Sequence, residues 1–393
     1  MFGTIYVGLS GLTAYSRGLQ QVSGNVTNLN SLGYKAEDVS FTNLVGVDNS
    51  GGKSFAGGGN GAGSGVSIGE ARRDFSQGEL RQTERDLDLA VSGSGFLVLM
   101  NGSELLYTRT GSFEVDRDGY VVLAGTDYRL ATLDEAGRAT SVSIDAMRTS
   151  APQRTTRISI ADNLSSSATA HAISDVRVYD ASGKEHVWKV AFSKAADAPA
   201  GEWTVTVTDA EGATVGTKTL KFMQGVVDPT TRELLFEDNA AGLSVTLDFS
   251  GNVTSFSSGS VSTLRAASVD GYKTGTITAL KVTEAGQLEI TYSNQQKKQL
   301  GAIALADFRD PQVLEQRGGG LLVEASEGGR ELMQSGDPQA GRVMSRRLEA
   351  SNVDLAQQFG DLILIQRGFQ ASSQIISVSN DMIQQLFGIR GQG

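Results

Sequence analysis

The side chains in this 393-residue chain that could do chemistry are few and scattered. A Gly-Gly-Lys-Ser at residues 51–54 invites a phosphate-binding reading, because backbone N–H groups in such a loop can cradle phosphates. The spacing fails: the first glycine of that motif would fall at position 47, which is Val47. No strand precedes the segment and no helix follows it, so a flexible glycine-rich loop is the better account. Gly93-Ser94-Gly95 leads into the apolar run FLVLM, a strand and not a helix N-terminus, which argues against a dinucleotide site.

His171 and His186 stand fifteen apart without a second imidazole or a carboxylate cluster at ligand spacing, and read as surface side chains. Asp86/Asp88 and Asp116/Asp118 sit beside turns, and Asp116-Arg117-Asp118-Gly119 lacks the remaining ligands of a calcium loop. No strand–turn–helix elbow presents a serine nucleophile. With no cysteine, disulfides, thiolate chemistry and Cys-bound metals are excluded. The reading is a non-enzyme with no cofactor and no metal.

If chemistry does not organise the chain, its elements must. Residues 4–29 read as a helix in which Ile5, Leu12, Leu19 and Val26 recur at sevens, with Tyr15, Val22 and Leu29 as a second row. The helix should stop at Asn30-Ser31-Leu32-Gly33, where glycine can take a positive φ. Helical period returns near residue 340 and runs to the end. There Leu348, Leu355, Leu362, Phe369, Ile376 and Ile383 form an apolar heptad row, flanked by Phe359. From about residue 87, short alternating runs broken by Asp-Gly, Ser-Gly and Glu-Gly predict antiparallel strands of sandwich or barrel type. The expected fold class is therefore mainly β, with terminal α-helices pairing as a coiled-coil-like domain and the β domains nested between them. SGGKSFAGGGNGAGSG, residues 50–65, reads as a mobile linker.

The formal charge of −10 argues against nucleic acid and acidic membranes as partners. It is unevenly spread, since residues 1–33 carry only Arg17 and residues 348–393 only two arginines and four acids. No apolar window is long enough to span a membrane, and the start lacks the pattern of a cleaved secretory signal. The glycines at 8, 11, 18, 24, 360 and 368 each weaken a helix by about 1 kcal/mol relative to alanine. Few Glu/Lys pairs support either helix. The ends are thus expected to order on assembly with other copies, although an intramolecular pair capping a β domain stays open.

Two terminal motifs then give a resemblance. GNVTNLNSLGYKAEDVSF (residues 24–41) resembles the N-terminal signature of flagellar rod and hook proteins, with Asn25, Asn28, Gly33, Tyr34 and Lys35 at the matching places and Thr27 where alanine is usual. LEASNVDLAQQFGDLILIQRGFQASSQII (residues 348–376) resembles the C-terminal signature through Ser351, Asn352, Asp354, Gln366 and Arg367. Chain length, the stretch at 292–322 and the region from ISIADNLSSSATA to VYDASGKEHVWKVAF look like the hook branch of that family.

The resemblance implies a structural subunit exported unfolded through the flagellar type III apparatus without signal cleavage. It would polymerise under a hook cap into an extracellular curved tube, a universal joint that meets rod proteins at one end and hook–filament junction proteins at the other. It also implies a terminal polymerisation domain from residues 1–33 and 341–393 and a connecting segment at 34–86. An inner β domain from 87–150 and 291–340 and an outer one from 151–290 would complete the chain. A distal-rod protein is the rival within the family, and a secreted β-rich adhesin the rival outside it.

Overall fold

A computed structural model describes residues 2–43, 65–195, 197, 199–326 and 329–390. The glycine-rich linker expected at 50–65 lies, apart from Gly65, outside the described residues. The chain forms two compact units. One comprises Met1–Asp145, Leu280–Glu289 and Gln299–Gly393, the other Ala146–Ala279 and Ile290–Lys298. The fold is mainly β, with one long helix at each end: α1, Phe2–Thr27, and α2, Leu355–Arg390.

In the first unit the strand Phe96–Asn101 shows how alternation builds two cores from one sheet. Leu97 and Leu99 point into a cluster with Leu89, Val91, Phe113 and Leu305, while Phe96 and Val98 join Tyr107, Phe308 and Leu322 on the opposite side. This strand pairs antiparallel with Glu104–Thr108, Arg129–Leu133 and Ala304–Phe308 inside a 12-stranded sheet. Asp116-Arg117-Asp118-Gly119 is a hairpin turn of that sheet. Gly119 takes φ +79°, and the Asp116 carboxylate accepts the Tyr120 N–H at 2.7 Å.

The second unit holds a 10-stranded sheet around one apolar cluster containing both tryptophans, Trp188 and Trp203, with Phe192, Phe236 and Phe249. In Glu202–Thr208, Trp203, Val205 and Val207 alternate inward with half-buried residues between them. Most of its ladders are antiparallel, but Arg157–Asn163 runs parallel to Leu243–Asp248.

Two expectations about the C-terminal segment need correction. The helical period read from residue 340 begins only at Leu355, and Leu348 lies on a strand, Arg347–Glu349, paired with Leu80–Gln82. The reason is local. Glu349 is fully buried among polar partners and could not keep them from a helix face, and Asp354 caps α2 by accepting the Ala356 N–H at 2.8 Å.

Candidate functional site

The two terminal motifs converge where α1 and α2 meet in the first unit. The two helices touch along antiparallel stripes: Gly8 and Gly11 of α1 face Ser372 and Ile376, Gly18 faces Ile365, and Asn25 meets Gln358. The glycines are contact residues. A Cβ at Gly8 would lie 2.7 Å from Ile376 Cγ1, and one at Gly11 only 2.5 Å from Ser372 Oγ. In α2, Gly368 lies against the Tyr15 ring, which itself packs tilted against Phe41 with ring centroids 5.1 Å apart. Gly24 and Gly360 face open space and keep only their propensity cost.

Within the chain the contact stripe takes in only part of the heptad rows read from the sequence: Tyr15 and Ile376 touch glycines of the opposite helix and Val22 is buried. Buried α2 residues recur at sevens as Gln358, Ile365, Ser372 and Ser379, of which only Ile365 is apolar. Each glycine makes room for one side chain of the opposite helix, Ile376, Ser372, Ile365 or the Tyr15 ring, while other large side chains stand at the flanks. Of the row residues Val22 is buried, whereas Ile5, Leu12, Tyr15, Val26, Leu29, Leu362, Ile376 and Ile383 are half-buried, as is Leu348 on its strand. Leu19, Leu355, Phe359 and Phe369 are exposed. So are Tyr6, Leu9, Ile363 and Leu364, with Phe359 54 % and Leu364 68 % exposed. Together these side chains form an exposed apolar surface on the helix pair.

The polar motif residues build the base of the pair. Asn25 is buried, and its Nδ2 donates to the Glu37 carbonyl and to Gln358 Oε1, both at 2.9 Å. Its Oδ1 accepts the Glu37 N–H at 3.0 Å and the Tyr34 hydroxyl at 3.2 Å. Burial, then the Glu37 charge, pushes the Tyr34 phenol upward. Asn352 accepts the Ala36 N–H at 2.8 Å and donates to the Asp74 carbonyl at 2.8 Å. Asn28 bonds the Gly24 carbonyl at the end of α1, and Gly33 takes φ +67° against Thr110. Ser351 Oγ accepts the Val353 N–H, while Gln366 and Arg367 are exposed on α2.

Beneath this lies an ionic cluster that sequence reasoning missed in two of its three members. Lys35 Nζ sits 2.6 Å from Glu349 Oε1, and Arg109 Nε 3.2 Å from Glu349 Oε2, with all three side chains essentially inaccessible. Burial holds both the Lys35 ammonium and the Arg109 guanidinium below their usual range, with Glu349 opposing that fall. Lys35 stood out through its motif. Arg109 had no signal, being an ordinary arginine between strands, and Glu349 was one acid in a helical-looking run.

The remaining candidates play structural parts. His171 Nε2 lies 2.8 Å from the Leu264 carbonyl and His186 Nε2 3.2 Å from Asp180 Oδ2, so neither is a plain surface side chain. Among the described residues no three His, Asp or Glu side chains gather as a metal-binding group.

Comparisons with known proteins agree across the chain. Residues 90–165 match the flagellar hook protein FlgE/F/G D1 domain, residues 146–305 the flagellar basal body protein FlaE D2 domain, and residues 344–389 the flagellar basal body rod FlgEFG protein C-terminal region. The flagellar hook proteins FlgE of Brucella suis and Borreliella burgdorferi are each 27 % identical over 99 % of this chain, covering 99 % and 100 % of their own lengths. That of Salmonella typhimurium is 28 % identical over 97 % of this chain and 98 % of its own. The crystal structure of Helicobacter pylori flagellar hook protein FlgE2 aligns with a TM-score of 0.48 at 13 % identity, over 69 % of this chain and 99 % of that one. End-to-end similarity to hook proteins, with matching domains in the same order, means that the chain belongs to the flagellar hook protein family and is a structural subunit of the hook, not an enzyme.

Proposed function

We propose that the terminal helices are the polymerisation element of this hook subunit, pairing within the chain and then packing on the helices of neighbouring copies to form the wall of a curved tube. The observation that carries this reading is the set of large apolar side chains left uncovered on α1 and α2, in a chain whose other large apolar residues mostly close into cores. Heterologous, non-closing contacts of this kind give a helical polymer. The tube would act as a universal joint: apolar helix contacts resist twisting, while the charged β units make weaker polar contacts that exchange as the joint turns.

The same reading gives the partners and the route. The subunit is exported through the flagellar type III apparatus, added beneath a hook cap outside the cell, and bounded by rod proteins and hook–filament junction proteins. The near absence of charge at both ends fits a wall in which a buried charge would be costly to desolvate.

The test is assembly of the purified chain carrying Phe359→Asp or Phe369→Asp, followed by sedimentation and electron microscopy. Both residues are exposed in the single chain, so folding should survive and polymerisation should not. Normal tubes from either variant would remove the helix surface from the account.

A further inference from the structure

A buried ionic cluster is a poor way to gain stability, because desolvation offsets most of the attraction and apolar residues of similar volume often do as well. What it supplies is direction. The carboxylate of Glu349 takes the Lys35 ammonium and the Gly78 N–H at 2.8 Å on one oxygen, and the Arg109 Nε on the other. The backbone N–H of Glu349 donates to Thr110 Oγ1 at 3.0 Å, and its carbonyl accepts the Gly33 N–H at 2.9 Å. Arg109 spends its remaining donors on the carbonyls of Val91, Gly93 and Gly95, around one turn of the first unit's sheet. Lys35 adds a bond to the Ser76 carbonyl at 2.6 Å.

Four chain segments thus meet at one carboxylate: the exit from α1, the loop at residues 76–78, the sheet, and the strand that leads into α2. A slip by one residue in either terminal segment would bury an unpaired charge. We propose that Arg109 and Lys35 are positioning residues, which orient Glu349 and so fix the register in which the two terminal helices leave the β body. This rests on the reading of those helices as the assembly element. It adds a residue, Arg109, that belongs to neither terminal motif.

The experiment uses the full-length chain with Lys35→Met, which removes one charge and leaves the Glu349–Arg109 pair in place. Hydrogen exchange is followed by mass spectrometry on sedimented polymer, in peptides from residues 355–365, from 96–101 and from 202–208. Positioning predicts exchange at least about tenfold faster at 355–365 with both strands unchanged. Exchange that rises equally at 96–101 would make the cluster ordinary core and overturn the inference, and so would parental exchange throughout. If the variant does not sediment, the soluble chain decides: protected strands beside a failed assembly support positioning, and loss of protection at 96–101 contradicts it. Tubes formed by Phe359→Asp would refute the assembly reading alone, since the exchange comparison is made without that change.

Discussion

The helix pair and the second unit solve the problem of burying apolar surface in opposite ways. In the second unit Trp188 and Trp203 are 0 % and 1 % exposed, and strand alternation sends most large side chains to one shared interior, with Met223, Leu235, Phe256 and Val261 left outside it. In the helix pair the closest contacts are glycine against tyrosine, serine and isoleucine, while Tyr6, Leu9, Phe359, Ile363 and Leu364 face outward. One region is complete within a single chain. The other makes its closest contacts at glycines and leaves several of its large side chains uncovered; under the proposed function those are the ones that meet other copies.

The most severe way to break this contrast is at the outward side chains. Leu364→Asp should reduce sedimentable polymer to background, while tryptophan fluorescence, which reports only on the second unit, keeps its parental melting curve. Next comes the closed core: Trp203→Ala should destabilise the second unit by about 3–5 kcal/mol, read as a lowered urea midpoint through Trp188. A smaller effect separates one glycine from another. Gly11→Val inserts atoms where Ser372 already sits and should cost the helix pair about 1–3 kcal/mol. Gly360→Ala, facing open space, should instead strengthen α2 by about 1 kcal/mol, both read as helical ellipticity on heating assembled polymer. If the two glycines responded alike, the contact stripe would be misplaced.

The mildest expected effect is one of pH. Hydrogen bonds from Ser182 and then His186 hold the Asp180 carboxyl below its usual 3.8, and the Thr230 N–H and hydroxyl do the same for Asp228. Each group has a folded pKa below its unfolded one, so its contribution is fully present above about pH 4 and declines as the pH falls through the lowered values. The second unit's melting temperature should hold between pH 7 and 5 and begin to drop below 4. A drop already complete at pH 5 would rule these two carboxylates out as its source.

Much of this molecule is legible in its sequence. Both helices, the β body and the motifs that name the family follow from heptad spacing, turn residues and short signatures. That the two helices pair is legible, but which residues touch is not, because glycine in a helix reads as a propensity cost until a second helix is seen to need its space. Nor is the ionic cluster: Lys35 and Glu349 are 314 residues apart, and Arg109 joins them from a bend between two strands with no unusual neighbours. The extension of the helical period back to Leu348 fails for a related reason. Apolar spacing is shared by a helix and by a short strand that happens to fall in step, and the buried carboxylate that settles the matter has no periodic signature.

Because the chain has no cysteine, a single introduced thiol reports on one position without background. Leu364→Cys should react rapidly with a maleimide in dilute, unassembled chain and become protected in sedimented polymer, while Ser182→Cys on a turn of the second unit stays reactive in both. Equal reactivity of the Leu364→Cys thiol before and after assembly would contradict the claim that this helix surface is where copies meet.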